Sequence, residues 1–97
     1  MPTYLALGTF TDQGRREIQD SPKRLDAVKK ALVKIGGSLE AFYLTMGPYD
    51  FVGVLKAPDD ETIAKYVLAV MAQGAVKFTG CRAFTEEEYR RLIKGSP

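Results

Sequence analysis

The sequence predicts an α+β domain in which helices cover one face of a four-stranded antiparallel sheet. Three observations carry this. Four runs of strand character and two stretches of helical periodicity follow one another in the order β-α-β-β-α-β. The two middle strand runs meet at Gly47-Pro48, a turn pair between alternating apolar residues. Both parities of that hairpin are apolar, which calls for cover on both sides of the sheet. One parity holds Phe42, Leu44, Met46, Tyr49, Phe51 and Leu55; the other holds Leu39, Ala41, Tyr43, Thr45, Asp50, Val52 and Val54.

Taken in order, Thr3 to Phe10 reads as the first strand, with Tyr4, Leu5, Leu7 and Phe10 as its apolar members. Thr11 is placed to cap one or two helical turns over Asp12 to Gln19, weakened by Gly14. Ser21-Pro22 has the form of an N-cap followed by proline in the first turn. Leu25, Val28, Ala31, Leu32 and Ile35 then recur at helical spacing until Gly36-Gly37 stops the helix. The hairpin runs from Ser38 to Ala57, and a two-residue loop would set Met46 opposite Tyr49, Thr45 opposite Asp50 and Leu44 opposite Phe51. Pro58-Asp59-Asp60-Glu61 opens a second helix, its negative charges suiting the helix dipole. Ile63, Ala64, Val67, Leu68, Val70 and Met71 give that helix a broad apolar surface, and Gly74 ends it. Ala75 to Phe84 is the last strand. Thr85-Glu86-Glu87-Glu88 is a capping box, with Phe84 and Tyr89 positioned for a hydrophobic staple. The short final helix carries Tyr89, Leu92 and Ile93 and frays at Gly95-Ser96-Pro97.

Two β-α-β halves in one sheet make the ferredoxin-like arrangement, here with a short C-terminal helix, as a single domain over residues 1–97. Two helices cover one sheet face and leave the other open. One short helix cannot cover four strands, so the doubly apolar hairpin predicts a homodimer, or a higher oligomer of dimers, packed sheet on sheet. That is the design of dimeric α/β-barrels.

The totals limit what the chain does. Fourteen basic residues against 12 acidic ones leave a net charge of +2, too balanced to point to nucleic acid or a membrane surface. No apolar run approaches a membrane span, and Met1-Pro2-Thr3-Tyr4 lacks the basic start of a signal peptide, so a cytoplasmic protein is expected. There is no histidine, and Cys81 is the single cysteine. The commonest general base and zinc ligand are therefore missing. Metal, P-loop, dinucleotide and Ser-His-Asp signatures are absent, so no metal and no cofactor is expected.

Four segments together resemble the GYD-domain family. They are Thr9-Phe10-Thr11-Asp12-Gln13-Gly14, Asp20-Ser21-Pro22-Lys23-Arg24, Phe42 to Asp50, and Arg82-Ala83-Phe84-Thr85-Glu86-Glu87-Glu88. The Gly-Tyr-Asp element that names the family reads Gly47-Pro48-Tyr49-Asp50 here, with one residue between glycine and tyrosine. The resemblance implies a small protein of the dimeric α/β-barrel type and carries no assigned activity.

Candidate ligand-binding residues are Tyr43, Thr45, Tyr49 and Asp50, which would line a cavity between the sheet and a partner. A carboxylate there binds a cationic group, or acts as a base once desolvation raises its pKa. The competing reading has Asp50 accepting backbone hydrogen bonds at the turn or pairing with a basic side chain, and this is the commoner use of a carboxylate beside a turn. Tyr4, Tyr43, Tyr49 and Tyr66 suit an aromatic pocket, though tyrosines more often serve a core or interface. Cys81 reads as a half-buried strand cysteine. Arg15, Arg16, Lys23, Arg24, Lys29, Lys30 and Lys34 are interleaved with acidic residues and read as a solvated face. Two functions stay open: a homo-oligomeric accessory protein that binds a small, partly apolar molecule, and a cofactor-free enzyme of the monooxygenase or isomerase kind.

Overall fold

A computed structural model describes residues 1–95; the expected fraying at Ser96-Pro97 lies outside them. Among the described residues the strands are β1 (Thr3–Phe10), β2 (Ser38–Leu44), β3 (Phe51–Lys56) and β4 (Val76–Ala83). The helices are α1 (Asp12–Arg16), α2 (Ser21–Lys34), α3 (Asp60–Ala72) and α4 (Glu86–Lys94), with a 3₁₀ turn at Ile18–Asp20. The sheet is fully antiparallel in the order β2-β3-β1-β4, which is the ferredoxin-like topology. β1 is central because it pairs with both β3 and β4.

Period two sorts the sheet. Along β3, Phe51, Gly53 and Leu55 are buried, while Val52, Val54 and Lys56 between them are only half-buried. The buried parity faces α2 and α3, where Tyr4, Ala6, Leu55 and Ala57 form a core with Leu32 and Ile63. The opposite face carries Leu5, Leu7, Val52, Val54 and Cys81 in register, none of them fully buried. The helical stripe of α2 is confirmed, since Leu32 is fully buried and Val28 and Ile35 pack against the core.

Backbone chemistry fixes the helix ends. The Thr11 hydroxyl accepts the Gly14 N–H at 3.1 Å and caps α1. The same hydroxyl donates to the Gly74 carbonyl, and the Thr11 N–H donates to the Ala75 carbonyl at 3.1 Å, so α1 is tied to the turn before β4. Gly14 is required there, because a Cβ would stand 2.0 Å from the Ala75 carbonyl oxygen. Helix α2 ends in a Schellman turn: Gly36 at φ +83° sends its N–H to the Val33 carbonyl, and Gly37 sends its own to Leu32. Asp59 caps α3 by accepting the Thr62 N–H at 2.8 Å.

Several expectations are corrected. Ser21 is not the N-cap of α2, because the 3₁₀ turn runs straight into the helix and Ser21 already has helical angles; Asp20 holds that position without a side-chain bond. The hairpin loop is longer than two residues, since the ladder ends at Leu44↔Phe51. Beyond it the Thr45 N–H reaches the Asp50 carbonyl at 2.8 Å, and the Thr45 hydroxyl donates to the Tyr49 carbonyl at 2.7 Å. These bonds, with Gly47 at φ +124°, hold a wider turn in which Met46 is 99% exposed. Leu39 also changes face. The β2–β3 register shifts between Leu39 and Ala41, so Glu40 is the extra residue of a bulge and Leu39 packs with the core.

The capping box of α4 forms as the sequence implied. The Thr85 hydroxyl accepts the Glu88 N–H at 3.1 Å, and a Glu88 carboxylate oxygen accepts the Thr85 N–H at 2.8 Å. The Thr85 N–H, donating to it, holds the Glu88 carboxyl below the usual carboxylate range. Phe84 and Tyr89 both remain more than half exposed, so a staple buries little there; Phe84 instead lies under the Arg82 guanidinium at 4.4 Å. Thr85→Ala should lower stability by about 0.5–2 kcal/mol, read by denaturant unfolding. An unchanged midpoint would mean that α4 contributes nothing to the cooperative fold.

Candidate functional site

The cavity of this chain begins with the cross-strand register. On the helix-facing side Ala6 is paired with Gly53 on β3 and with Gly80 on β4. Three adjacent strands therefore present nothing larger than a methyl group in one row. The row on one side holds Leu55, Tyr4 and Arg82; the row on the other holds Phe51, Gly8 and Phe78. A strip of small residues between two ridges leaves a gap beneath α2 and α3. The result is a cavity of about 670 Å³, walled by apolar residues such as Phe42, Leu55, Ile63, Val67 and Phe78. Phe51 turns its ring across Gly8, where a Cβ would stand 2.1 Å from it, and stacks near Phe10 and Phe42 at 5.5 and 5.6 Å.

Polar groups reach this cavity at its two ends. Where β1 enters the sheet, the Tyr4 hydroxyl donates to Asp60 at 2.6 Å across the sheet–helix gap. Burial, then the Asp60 carboxylate, push the Tyr4 phenol up to about 12. Arg82 lies 5.8 Å from the centre of the same ring and donates to the carbonyls of Thr3 and Ala83. Along the cavity, the Tyr66 hydroxyl donates to the Val28 carbonyl at 3.0 Å and links α3 to α2, and burial pushes its phenol up to about 12. At the other end, Arg24, Ser21 and Gln73 contribute to the lining. Arg24 donates from Nη1 to the Glu17 carbonyl at 3.1 Å, while its Nη2 is buried with no partner among the described residues.

The four residues expected to bind a ligand lie elsewhere, at the turn end of the β2–β3 hairpin, and none of them lines this cavity. Tyr43 is 61% exposed on the outer face. Thr45 and Tyr49 are bonded to each other through hydroxyl and carbonyl. Asp50 is half-buried, less than a fully enclosed carboxylate would be. Its Oδ2 accepts the Phe10 N–H at 2.9 Å, and its own N–H donates to the Gly8 carbonyl at 2.8 Å. Asp50 thus serves the backbone, through the end of β1 and not through Gly47. The sequence did hold a signal for the cavity: Gly53 and Gly80 stand inside strands, where a glycine marks close approach by something else.

These contacts generate two expectations. Asp50→Ala should cost about 1–3 kcal/mol by leaving the Phe10 N–H without its acceptor, with Asp50→Asn costing less. Thermal unfolding of both variants checks this, and equal losses would refute the hydrogen-bond account. The two phenols raised from 10.0 to about 12 set an alkaline limit. Their folded values lie above the unfolded value, so their contribution is complete below pH 10.0 and is lost as pH rises through about 12. Unfolding followed against pH should show that loss, and the Tyr4→Phe and Tyr66→Phe variants should each flatten it.

Among the described residues, no helix is long and apolar enough to cross a membrane. The sequence profile of the GYD domain matches residues 4–93. A protein of Thermus thermophilus named "Glutamine synthetase and cystathionine beta-lyase binding protein" is 38% identical over 78 residues, which are 79% of this chain and 82% of that protein. The crystal structure of TTHA0845, also from Thermus thermophilus, is similar in fold, with a TM-score of 0.55 at 21% identity, covering 88% of this chain and 95% of the other.

Proposed function

The chain belongs to the GYD-domain family, and we propose that it is a cytoplasmic, homodimeric accessory protein that holds a small apolar molecule between its own sheet and helices. The observation that carries this reading is the cavity of about 670 Å³ over the Gly53–Ala6–Gly80 row, a volume in the ordinary range of small-molecule sites. An apolar chamber with a few polar groups at its ends suits retention of a ligand. The Thermus relative, whose name describes binding to two enzymes, supports a role in which the domain docks on other proteins. The half-buried row of Leu5, Leu7, Val52 and Val54 supports pairing of copies through the outer sheet face, because fully burying each such side chain is worth about 1.5–3 kcal/mol.

The alternative is a small cofactor-free enzyme of the dimeric α/β-barrel type, and the Tyr4–Asp60 pair is what favours it. A phenol held near 12 and already donating to a carboxylate is a poor proton donor at neutral pH. The pair is better suited to fixing the sheet–helix gap than to chemistry.

Native mass spectrometry of the purified chain tests the proposal, since one spectrum reads both subunit number and retained small molecules. The expected species is a dimer carrying ligand. Gly80→Leu should keep the dimer and lose the ligand, because a Cβ at Gly80 meets nothing within 4 Å and the larger side chain would fill the floor of the cavity. A monomer in the spectrum sinks the dimer, and ligand retained by Gly80→Leu sinks the cavity.

A further inference from the structure

Arg24 is the group the structure leaves unfinished. It stands in the first turns of α2, at the end of the cavity where β1 leaves the sheet, and lines that cavity. One guanidinium nitrogen is anchored on the Glu17 carbonyl, while Nη2 is withdrawn from solvent and has no acceptor among the described residues. A guanidinium N–H buried beside apolar walls calls for an acceptor, and a charged acceptor is the strongest partner it can take. The opposite end is different. There Asp60 brings a negative charge beside the positive charge of Arg82, whose Nη1 donates to the Thr3 and Ala83 carbonyls. An anion is therefore drawn to the Arg24 end, whereas at the other end Asp60 offsets the charge of Arg82.

Resting on the cavity proposed above as the binding site, we infer that its ligand is an elongated apolar monocarboxylate, with its carboxylate on Arg24 and its chain over the Gly53–Ala6–Gly80 floor. The walls set the class. A phosphate ester would bring more charge than the one unpaired donor offers, into a chamber lined by Phe42, Phe51, Val67 and Phe78. The Gly53–Ala6–Gly80 strip runs across three neighbouring strands, about 10 Å at about 4.8 Å per strand spacing, and is bounded by the rows at Tyr4 and Phe51. With no side chain larger than a methyl group on it, the strip leaves room for an alkyl chain to lie across the strands.

Isothermal titration of the full chain with dodecanoate and with dodecanol tests the inference. Dodecanoate should bind about tenfold or more tightly than the alcohol, the scale of a charge-assisted hydrogen bond. Arg24→Gln should remove that preference by weakening dodecanoate far more than dodecanol, and Arg24→Lys should keep part of it; thermal unfolding confirms that each variant is folded. Equal affinity for acid and alcohol in the unsubstituted chain, or a preference that survives Arg24→Gln, overturns the carboxylate assignment and leaves the cavity standing. Binding of neither compound overturns the assignment. Where dodecanol binds, Gly80→Leu tests the cavity separately, because it should abolish that binding, and dodecanol still bound by Gly80→Leu overturns the cavity reading.

Discussion

The pairing of Ala6 with Gly53 on one side and Gly80 on the other is the constraint on which the rest of the structure depends. A sheet of this topology is ordinarily welded to its helices by large side chains standing along its whole length. Here the middle of the weld is missing, and the two layers are held apart by rows of bulk at either end. Leu55 and Tyr4 form one row and Phe51 and Phe78 the other. The core proper gathers at the first row, where Leu32, Ile63 and Ala57 are buried with Tyr4 and Leu55. The fold thus concentrates its hydrophobic stabilisation at one end of the helix layer and leaves room along the remainder.

A gap of that kind needs ties across it, and the chain supplies directional ones. Tyr4 reaches Asp60 from sheet to helix, Tyr66 reaches the Val28 carbonyl from helix to helix, and Thr11 joins α1 to the turn leading into β4. Each tie uses a hydroxyl and a partner far away in sequence. Hydrogen bonds fix distance and direction where apolar packing would have pulled the layers closer. Asp50 does the same for the sheet itself by binding the end of β1 to the hairpin.

Much of this was legible in the residues. Element order, the Thr11 cap, the Gly36-Gly37 stop and the Thr85–Glu88 box are local signals, fixed within a few residues, and all four hold. Asp50 was legible as a carboxylate serving backbone, though its partner was not, since Phe10 is 40 positions away. The internal cavity was not legible because a cavity is a property of register. Gly53 and Gly80 each signal a close approach within a strand, but that they flank Ala6 in one row follows only from the pairing. Leu39 was assigned to the wrong face for a related reason: one extra residue at Glu40 inverts every side chain before it.

That extra residue has a bearing on how copies of the chain can meet. β2 is an edge strand, and a regular edge offers its unpaired N–H and C=O groups to any other strand. The bulge breaks the rhythm of those groups midway along β2, and it places a charged, exposed glutamate at the break. Growth of the sheet from molecule to molecule along this border is thereby discouraged. Association through the broad outer face would differ in kind: once two faces close on each other that face is used up, whereas an unguarded border would extend without end into a fibre.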